Sequence, residues 1–551
     1  MSLWKIAGAK VYDPANGRSG EVGDLWIDGD RIVSAPTDPS VRPTRVLDAI
    51  GLVAMPGGVD MHCHIAGPKV NAGRRMRPDD KRTSQPVRRT AATRSGTLGS
   101  VPSTFATGYK YAALGYTTAF DAAIAPLTAR HAHAEFDDTP CIDRGCFLLM
   151  GNNHFLLRAI AEGDPERVRA LVAWLLEAGK GYAPKIVNPG GIEAWKQQAG
   201  GNVHGLDESI PGFDVTPRAI IRSVAQAAAE LRLPHAVHIH ANNLGMPGNW
   251  TTTLATMEAL EGRRGHLTHI QFHSYAGGDA DEATFGSEVG KLADYVNTHP
   301  NITVDVGQVM FGSTTSMTAD GPVGYFLGNL YKTRWYSCDT ELESGCGVAP
   351  IEYKRKSVVH AWQWAIGLEW YLRVNDPWQV AMSTDHPNGG SFLAYPQIVR
   401  LLMDRNFRQE VLAGLPAEVR EQSELKDLAR EYTLEEICII TRGAPARMLG
   451  LPNKGHLGPG ADADITLYTP SADYQAMFEL PRLVIKGGQV VVEQGEVREP
   501  VAGKTLYVAP GYDPGLEPEL RSWFDELSTI RFANYPVGLS ELAASERVEC
   551  S

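Results

Sequence analysis

The middle of the chain alternates short apolar runs with longer amphipathic segments. Eight runs predict strands: LVAMPGGVDMHCH, YTTAFDAA, GCFLLMGN, YAPKIVNPGG, HAVHIHANN, HLTHIQFHSYAG, ITVDVGQV and QVAMSTDHPNGG. Between several of them, apolar residues recur at helical spacing, as in PERVRALVAWLLEAGK and TPRAIIRSVAQAAAELRL. Strands that alternate with helices in this way predict an α/β fold, a parallel (β/α)8 barrel of the TIM type.

The two ends of the sequence have a different pattern. Short runs punctuated by Gly and Asp, such as DLWIDGDRIVSAP and PRLVIKGGQVVVEQGEV, are typical of antiparallel strands. We therefore predict a small β-sandwich domain built from residues 1–51 and 446–510, around a barrel of residues 52–445. Residues 511–551 predict an amphipathic helical tail. That tail either packs on its own barrel or docks on another protein chain.

Composition narrows the class of protein. The chain has 551 residues, of which 43% are hydrophobic and 21% charged, as in a soluble globular protein with a large core. A net charge of −12 argues against a nucleic-acid or membrane-surface partner. There is no run of about 20 apolar residues, and the start lacks a signal-peptide pattern. Seven scattered cysteines without CxxC spacing favour a cytoplasmic location.

Residues of metal-binding type fall at the ends of the predicted barrel strands, where the active groups of such barrels lie. His62 and His64 end the first strand, and side chains two residues apart on a strand point the same way. The others are Lys185 on the fourth strand, His238 and His240 on the fifth, His269 and His273 on the sixth, and Asp385 at the end of the eighth. Taken singly, each has an ordinary explanation, such as a helix-capping aspartate or a lysine that reaches solvent. Together they form a set of ligands suited to zinc.

Lys185 fits such a set only in a modified form. A protonated ammonium group cannot bind a metal, and a free lysine has a pKa of about 10.4. The neutral amine reacts with CO2 to give a carbamate, an anionic ligand with two oxygens. Such a group can bridge two cations about 3.5–4 Å apart. We therefore hypothesise that Lys185 is carboxylated.

These residues and their surroundings resemble the amidohydrolase superfamily, the group of dihydroorotases and hydantoinases. VLDAIGLVAMPGGVDMHCH resembles the family's entry from sandwich to barrel, and TRGAPARMLGLPNKGHLGPGADADITLY resembles the return. More narrowly, KIVNPGG, HANNLGMPGN and STDHPNGGSF resemble the A subunits of formylmethanofuran dehydrogenases and of the related formyltransferase/hydrolase complex.

The resemblance implies a binuclear zinc site held by His62, His64, Lys185, His240, His273 and Asp385. The choice of His240 over His238 rests on matching HANN to the HAEN of hydantoinases. The choice of His273 over His269 rests on the serine that follows it. HANN also places Asn242 where hydantoinases carry glutamate. This argues against a cyclic amide and makes Asn242 a candidate substrate-binding residue.

The implied activity is that of a metal-dependent amidohydrolase acting on the C–N bond of a linear formamide. The formyl carrier, of the methylofuran or methanofuran type, would be cleaved to formate and free amine, with Asp385 moving the proton to the leaving amine. We expect an A subunit that works with the other subunits of a formyltransferase/hydrolase complex in one-carbon metabolism. The alternatives are condensation of formate with methanofuran in a formylmethanofuran dehydrogenase, a cyclic amidase of the hydantoinase or dihydroorotase type, and a non-catalytic scaffold.

An arginine-rich stretch, RRMRPDDKRTSQPVRRTAATR, follows the first predicted strand. In a barrel this loop opens at the active-site face. Arg74 and Arg75 are therefore candidate substrate-binding residues, in a cationic groove for a carrier that bears glutamate chains. The alternatives are a solvated loop or an interface with another protein chain.

Overall fold

The computed structural model describes residues 3–198, 200–278, 284–337 and 347–551. The first strands of the chain belong to a mixed sheet. They are β1 (Trp4–Asp13), β2 (Arg18–Asp28), β3 (Arg31–Val33), β4 (Arg45–Asp48) and β5 (Val53–Pro56). Alternation along the strands places Trp4 and Ile6 of β1 and Leu25 and Ile27 of β2 in one buried apolar cluster.

Eight parallel strands form the barrel, which confirms the predicted fold. They are β6 (Gly58–Cys63), β7 (Tyr116–Ile124), β8 (Asp143–Leu149), β9 (Ala183–Val187), β10 (Val237–His240), β11 (Gly265–Leu267), β12 (Ile302–Asp305) and β16 (Val380–Ala381). Between β12 and β16 the chain inserts a separate sheet of β13 (Gly312–Thr318), β14 (Tyr336–Ser337) and β15 (Gly347–Tyr353). Each barrel strand pairs in parallel with the next. A parallel bridge between Cys63 and His386 brings the last strand back to the first and nearly closes the barrel.

Helices follow most barrel strands and cover them, and further helices belong to the inserted sheet, the mixed sheet and the C-terminal tail. They are α1 (Pro68–Met76), α2 (Pro78–Thr83), α3 (Thr104–Ala113), α4 (Ala129–Asp137), α5 (His154–Ala161), α6 (Pro165–Gly179), α7 (Gly191–Gln197), α8 (Pro217–Glu230), α9 (Trp250–Glu258), α10 (Val289–Thr298), α11 (Gly321–Leu330), α12 (Val358–Arg373), α13 (Tyr395–Met403), α14 (Arg405–Ala413), α15 (Ala417–Gln422), α16 (Leu434–Cys438), α17 (Ala444–Leu449), α18 (Tyr474–Glu479) and α19 (Glu517–Leu527). The predicted helix starts are capped: the Asp164 side chain accepts from the backbone of α6, and the Thr216 side chain from that of α8. Within the described ranges, none of these helices combines the length and apolarity of a membrane span.

The chain returns to the mixed sheet through its later strands. These are β17 (Ile465–Tyr468), β18 (Leu483–Lys486), β19 (Gln489–Glu493) and β20 (Glu496–Val497). Strand β17 pairs antiparallel with β5. The predicted domain from both ends of the sequence is therefore present, as one nine-stranded mixed sheet.

Two predicted stretches are divided differently in the structure. LVAMPGGVDMHCH splits at Gly57, so that β5 joins the mixed sheet and the barrel begins at β6. A Cβ at Gly57 would lie 2.2 Å from the Thr117 hydroxyl oxygen, so only glycine allows this close passage. The sequence pattern places KTLYVAP in the sandwich, but β21 (Thr505–Val508) extends the barrel sheet beside β8 and pairs with β22 (Ser545–Val548).

The C-terminal tail packs on its own barrel, which is one of the two predicted alternatives. The Trp523 ring of α19 stacks on Phe155 of α5 with the ring centroids 4.8 Å apart. Phe524 packs edge-on against Trp174 of α6. These aromatic side chains are buried, so the apolar face of α19 is covered within the chain. The tail also contains strand β22 and is therefore not purely helical.

A buried ionic cluster joins the barrel to the mixed sheet. Lys454 Nζ lies 2.6 Å from Asp143 Oδ2 and 3.1 Å from Asp464 Oδ2. Lys486 Nζ lies 2.7 Å and 3.0 Å from the same two atoms. Burial opposes the ionisation of Asp143, but the two ammonium groups outweigh it and hold the pKa of this carboxyl well below its usual value. The cluster therefore joins Asp143, the first residue of barrel strand β8, to the mixed sheet through Lys486 of β18.

Replacing Lys486 by Met should destabilise the protein by about 3–5 kcal/mol, because two buried carboxylates lose a partner. Lys504→Met is the control, since its 3.0 Å pair with Glu546 is partly exposed and should change stability by less than about 1 kcal/mol. Denaturant unfolding of the two variants measures the difference. Equal destabilisation would contradict a structural role for the buried cluster.

Candidate metal centre

A cavity opens at the carboxyl ends of the barrel strands, the face at which barrel enzymes carry their sites. Its lining includes five of the six implied ligands and the alternative histidine of the sixth strand: His62, His64, Lys185, His240, Asp385 and His269. The sixth implied ligand, His273, is not among the lining residues. Its other walls are largely apolar and include Phe272, Tyr353 and the side chains of Val323, Phe326 and Leu327 from α11. The tertiary structure thus gathers residues from five barrel strands around one space.

The first ligand group contains His62, His64 and Asp385. The Nε2 atoms of His62 and His64 lie 3.0 Å and 3.1 Å from Asp385 Oδ1. Two ligand atoms that are each about 2.0–2.2 Å from a zinc ion lie roughly 3.0–3.5 Å apart. The three side chains are buried, and Asp385 has a left-handed backbone with a φ of 50°. Their spacing therefore fits ligands of one metal ion.

The second ligand group contains His240 and both histidines considered for the sixth strand. One ring nitrogen each of His240, His269 and His273 lies within 4.8 Å of the others. Among the described residues, His240 Nε2, His269 Nδ1 and both nitrogens of His273 are buried without a hydrogen-bond partner. His269 lines the cavity directly after β11, whereas His273 follows at the end of a short 3-10 helix. The structure brings both histidines to His240, and the choice of His273 stays a prediction.

His238 lies deeper in the barrel than His240. Its Nε2 is 3.0 Å from His62 Nδ1, and its Nδ1 is 3.0 Å from His235 Nε2. His235 Nδ1 in turn lies 2.7 Å from the Met448 carbonyl oxygen. Both ring nitrogens of His238 are thus engaged by other side chains. This arrangement favours His240 as the ligand on the fifth strand.

Lys185 is buried and its Nζ has no hydrogen-bond partner in the described part of the chain. Burial lowers the pKa of this amine to about 7, although the carboxylates of Asp305 and Asp385 oppose the shift. A large fraction of the amine is then neutral at neutral pH. An unpartnered buried amine is unfavourable. Lys185 therefore fits a group that is modified or bound to a metal.

Asp305, at the end of β12, is the main residue that sequence reasoning missed. Its Oδ2 lies 3.1 Å from His62 Nδ1 and 3.1 Å from His266 Nε2. Its Oδ1 accepts from the backbone N–H of His269 at 3.0 Å and from the Ser383 hydroxyl at 2.8 Å. A carboxylate behind a metal-binding histidine orients the ring and selects its tautomer. The available signal was an aspartate at a strand end, in ITVD.

The carboxylates give this site a preference for positive charge. Burial alone would lower the pKa of His62, but Asp305 and Asp385 raise it to about 9. Burial opposes the ionisation of Asp385, but His62 and His269 hold its pKa well below the usual value. The same field that retains a proton on His62 would stabilise a metal cation.

Two further polar residues hold the first ligand group in place. Asn388 Nδ2 donates to Asp385 Oδ1 at 2.9 Å, and the amide oxygen of Asn388 accepts from the Met317 backbone N–H at 2.6 Å. Asp121 of β7 accepts from Lys69 Nζ at 2.9 Å and lies 3.7 Å from His64 Nδ1. Neither residue stood out in the sequence, because their partners are distant along the chain.

The predicted substrate-binding residues lie outside the lining of this cavity. Asn242 is buried and its Nδ2 donates to Asn188 Oδ1 at 2.8 Å. Arg74 is 8% exposed, and its guanidinium donates to Glu135 Oε1 at 3.2 Å and to the Pro102 carbonyl at 2.9 Å. Arg75 is exposed on α1. The charge of Arg74 is thus engaged by the protein, which leaves Arg75 as the freer of the two arginines.

The fold and the site define this chain as an amidohydrolase. A sequence model described as the amidohydrolase family matches residues 45–492, and the chain belongs to that family. This match confirms the resemblance seen in the motifs.

Full-length relatives make the similarity more specific. Protein FwdA of Methanocaldococcus jannaschii is 44% identical over 98% of this chain and 97% of its own length. The A subunit of the formyltransferase/hydrolase complex Fhc of Methylorubrum extorquens is 39% identical, over 95% of this chain and 94% of its own. A chain in the crystal structure of the M. extorquens FhcABCD complex with methylofuran superimposes with a TM-score of 0.93, at 37% identity, and each chain is covered completely.

Gly307 allows the sixth and eighth strands to meet at the site. Its φ is +66°, and an added Cβ would lie 2.4 Å from His269 Cβ and 3.5 Å from Asp385 Cβ. Gly307→Ala should displace these side chains and reduce the metal content per chain by at least about half. Gly29→Ala is a matched control, because Gly29 has a φ of +62° with nothing in the described structure within 4 Å of an added Cβ.

Both substitutions carry the same backbone cost of about 1–2 kcal/mol. Elemental analysis and thermal unfolding of the two variants separate that cost from displacement of the ligands. Full metal content in Gly307→Ala would show that the site does not depend on this close contact.

Proposed function

We propose that this chain is a zinc-dependent hydrolase that cleaves the N-formyl bond of a methylofuran- or methanofuran-type carrier to give formate and the free amine. It would act in the cytoplasm as the A subunit of a hetero-oligomeric formyltransferase/hydrolase complex. The observation that carries this proposal is the full-length similarity to the A subunit of Fhc, together with the fit to a chain from a complex that contains methylofuran.

The residues at the barrel mouth fit two metal ions. His62, His64 and Asp385 would hold one ion, and His240 with His269 or His273 the other. The carbamate of Lys185 would bridge them, which is supported by its unpartnered nitrogen and lowered pKa. When bound, zinc polarises a substrate carbonyl and lowers the pKa of water towards about 7.

Asp385 is suited to move the proton in this reaction. Its carboxylate lines the cavity, and Asn388 donates to one of its oxygens. In the proposed reaction Asp385 accepts a proton from the attacking water and passes it to the leaving amine. The apolar side chains of α11 and Phe272 line the cavity and suit an uncharged reacting group such as a formylated furan amine.

Two other activities compete with this one. Condensation of formate with methanofuran uses the same bond in the opposite direction, and the similarity to FwdA favours it. A cyclic amidase is disfavoured because Asn242 stands where hydantoinases carry glutamate.

Metal content and turnover on one sample test the proposed function. The chain, co-purified with its partner subunits, should contain about two zinc ions and release formate from an N-formyl furan carrier. Hydantoin and dihydroorotate should not react. Turnover of hydantoin without formate release would favour the cyclic amidase, and a metal-free protein would favour the scaffold.

Carboxylation of Lys185 is tested with isotopically labelled bicarbonate. The wild-type protein should show a carbamate resonance that Lys185→Ala lacks. This variant should lose activity by more than about 100-fold, and acetate should restore part of it by supplying a carboxylate in the vacated space. Lys291→Ala removes an exposed lysine and should behave as the wild type. A carbamate signal that persists in Lys185→Ala would exclude Lys185 as its source.

A further inference from the structure

The sheet inserted between β12 and β16 reaches the candidate metal centre through Asp320. This residue caps helix α11 and is 0% exposed. Its Oδ1 accepts from the Val323 backbone N–H at 3.4 Å and from Asn188 Nδ2 at 3.1 Å. Its Oδ2 lies 3.4 Å from His240 Nε2, and neither of these two atoms has a closer hydrogen-bond partner among the residues that the structure describes.

The cap alone does not explain this carboxylate. A helix cap requires one acceptor oxygen, and Asn or Ser caps a helix as well as Asp does. Oδ1 already fills that role. A buried carboxylate oxygen without a partner is unfavourable. The placement of Oδ2 opposite an unpartnered imidazole nitrogen points to a function at His240.

We propose that Asp320 is a positioning residue for the metal ligand His240. Oδ2 accepts the N–H of His240 Nε2, which leaves Nδ1 as the nitrogen that binds the metal. A carboxylate in this role fixes the tautomer and the ring orientation and strengthens the ligand. This inference rests on the metal-dependent function proposed above and assigns to Asp320 a role in it.

The position of α11 makes Asp320 a link between the metal and the cavity wall. Added Cβ atoms on Gly324 and Gly328 would lie 2.4 Å from Gly347 Cα and 2.6 Å from Trp335 Cβ, so the helix packs closely on its own sheet. Other positions of α11 supply Val323, Phe326 and Leu327 to the cavity. The helix that forms the apolar wall therefore begins at the residue that orients His240.

Asp320→Asn separates the cap from the positioning role. The Val323 N–H and the Asn188 amide both donate, so the single oxygen of the substituted side chain stays with them and keeps the cap. Its NH2 group then faces His240 Nε2 and favours the tautomer with hydrogen on Nδ1. We expect one of the two zinc equivalents to bind about 10- to 100-fold more weakly. Chelator competition on the full chain in its complex measures this affinity.

The matched control is Asp404→Asn. Asp404 caps α14, where its Oδ1 accepts from the Phe407 backbone N–H at 2.9 Å, and it does not line the cavity. The same chemical change at that cap should leave the affinity for both zinc equivalents unchanged. Hydrogen exchange of residues 321–330 in the metal-free Asp320→Asn protein should match that of the metal-free wild type, because the cap is retained.

The outcomes separate this inference from the proposed function. A wild-type complex without zinc would overturn both. A wild-type complex with two zinc ions and unchanged affinity in Asp320→Asn would overturn only the positioning role. Faster exchange of residues 321–330 in the metal-free variant would also overturn it, because loss of the helix would then explain the weaker binding.

Discussion

The buried charge of Asp305 and Asp385 is the constraint on which the rest of the site depends. Both carboxylates are nearly inaccessible to solvent, and a buried carboxylate is unfavourable unless a positive or hydrogen-bonding partner compensates it. His62 lies between them, with Nδ1 3.1 Å from Asp305 and Nε2 3.0 Å from Asp385. This geometry creates a field inside the barrel that favours a cation. Lys185 and the imidazoles of the two ligand groups lie where such a cation would be bound.

The interior of the barrel supports this field with histidines rather than with the branched apolar layers usual in such barrels. His235 and His238 form a line of contacts that ends at His62, and His266 contacts Asp305 from the side. A buried polar network with its partners in place restricts rotamers more than an apolar core does. Contacts inside the barrel, through His238 and Asp305, therefore fix the orientation of His62.

The sheet and helix α11 inserted between β12 and β16 also contact the candidate metal centre. Asn388 joins Asp385 to the backbone of β13, and Asp320 faces His240 from the start of α11. The same helix supplies the apolar wall of the cavity. The inserted unit thus faces His240 directly and reaches Asp385 through Asn388, and it bounds the space in which a substrate would lie.

The sequence by itself determined the barrel and the domain made from both ends, because strand and helix periodicities are local. It also placed His62, His64, Lys185 and Asp385 on, or shortly after, barrel strands. The sequence could not decide which of His269 and His273 is the metal ligand. Strand β11 ends at Leu267, and the chain then turns, with His269 at a φ of 34°. Only the tertiary structure decided the roles of Asp305 and Asp320, the sheet that β21 joins, and the internal partners of Arg74. In each case the deciding contact joins residues far apart in the chain, and no local pattern encodes which distant atoms will meet.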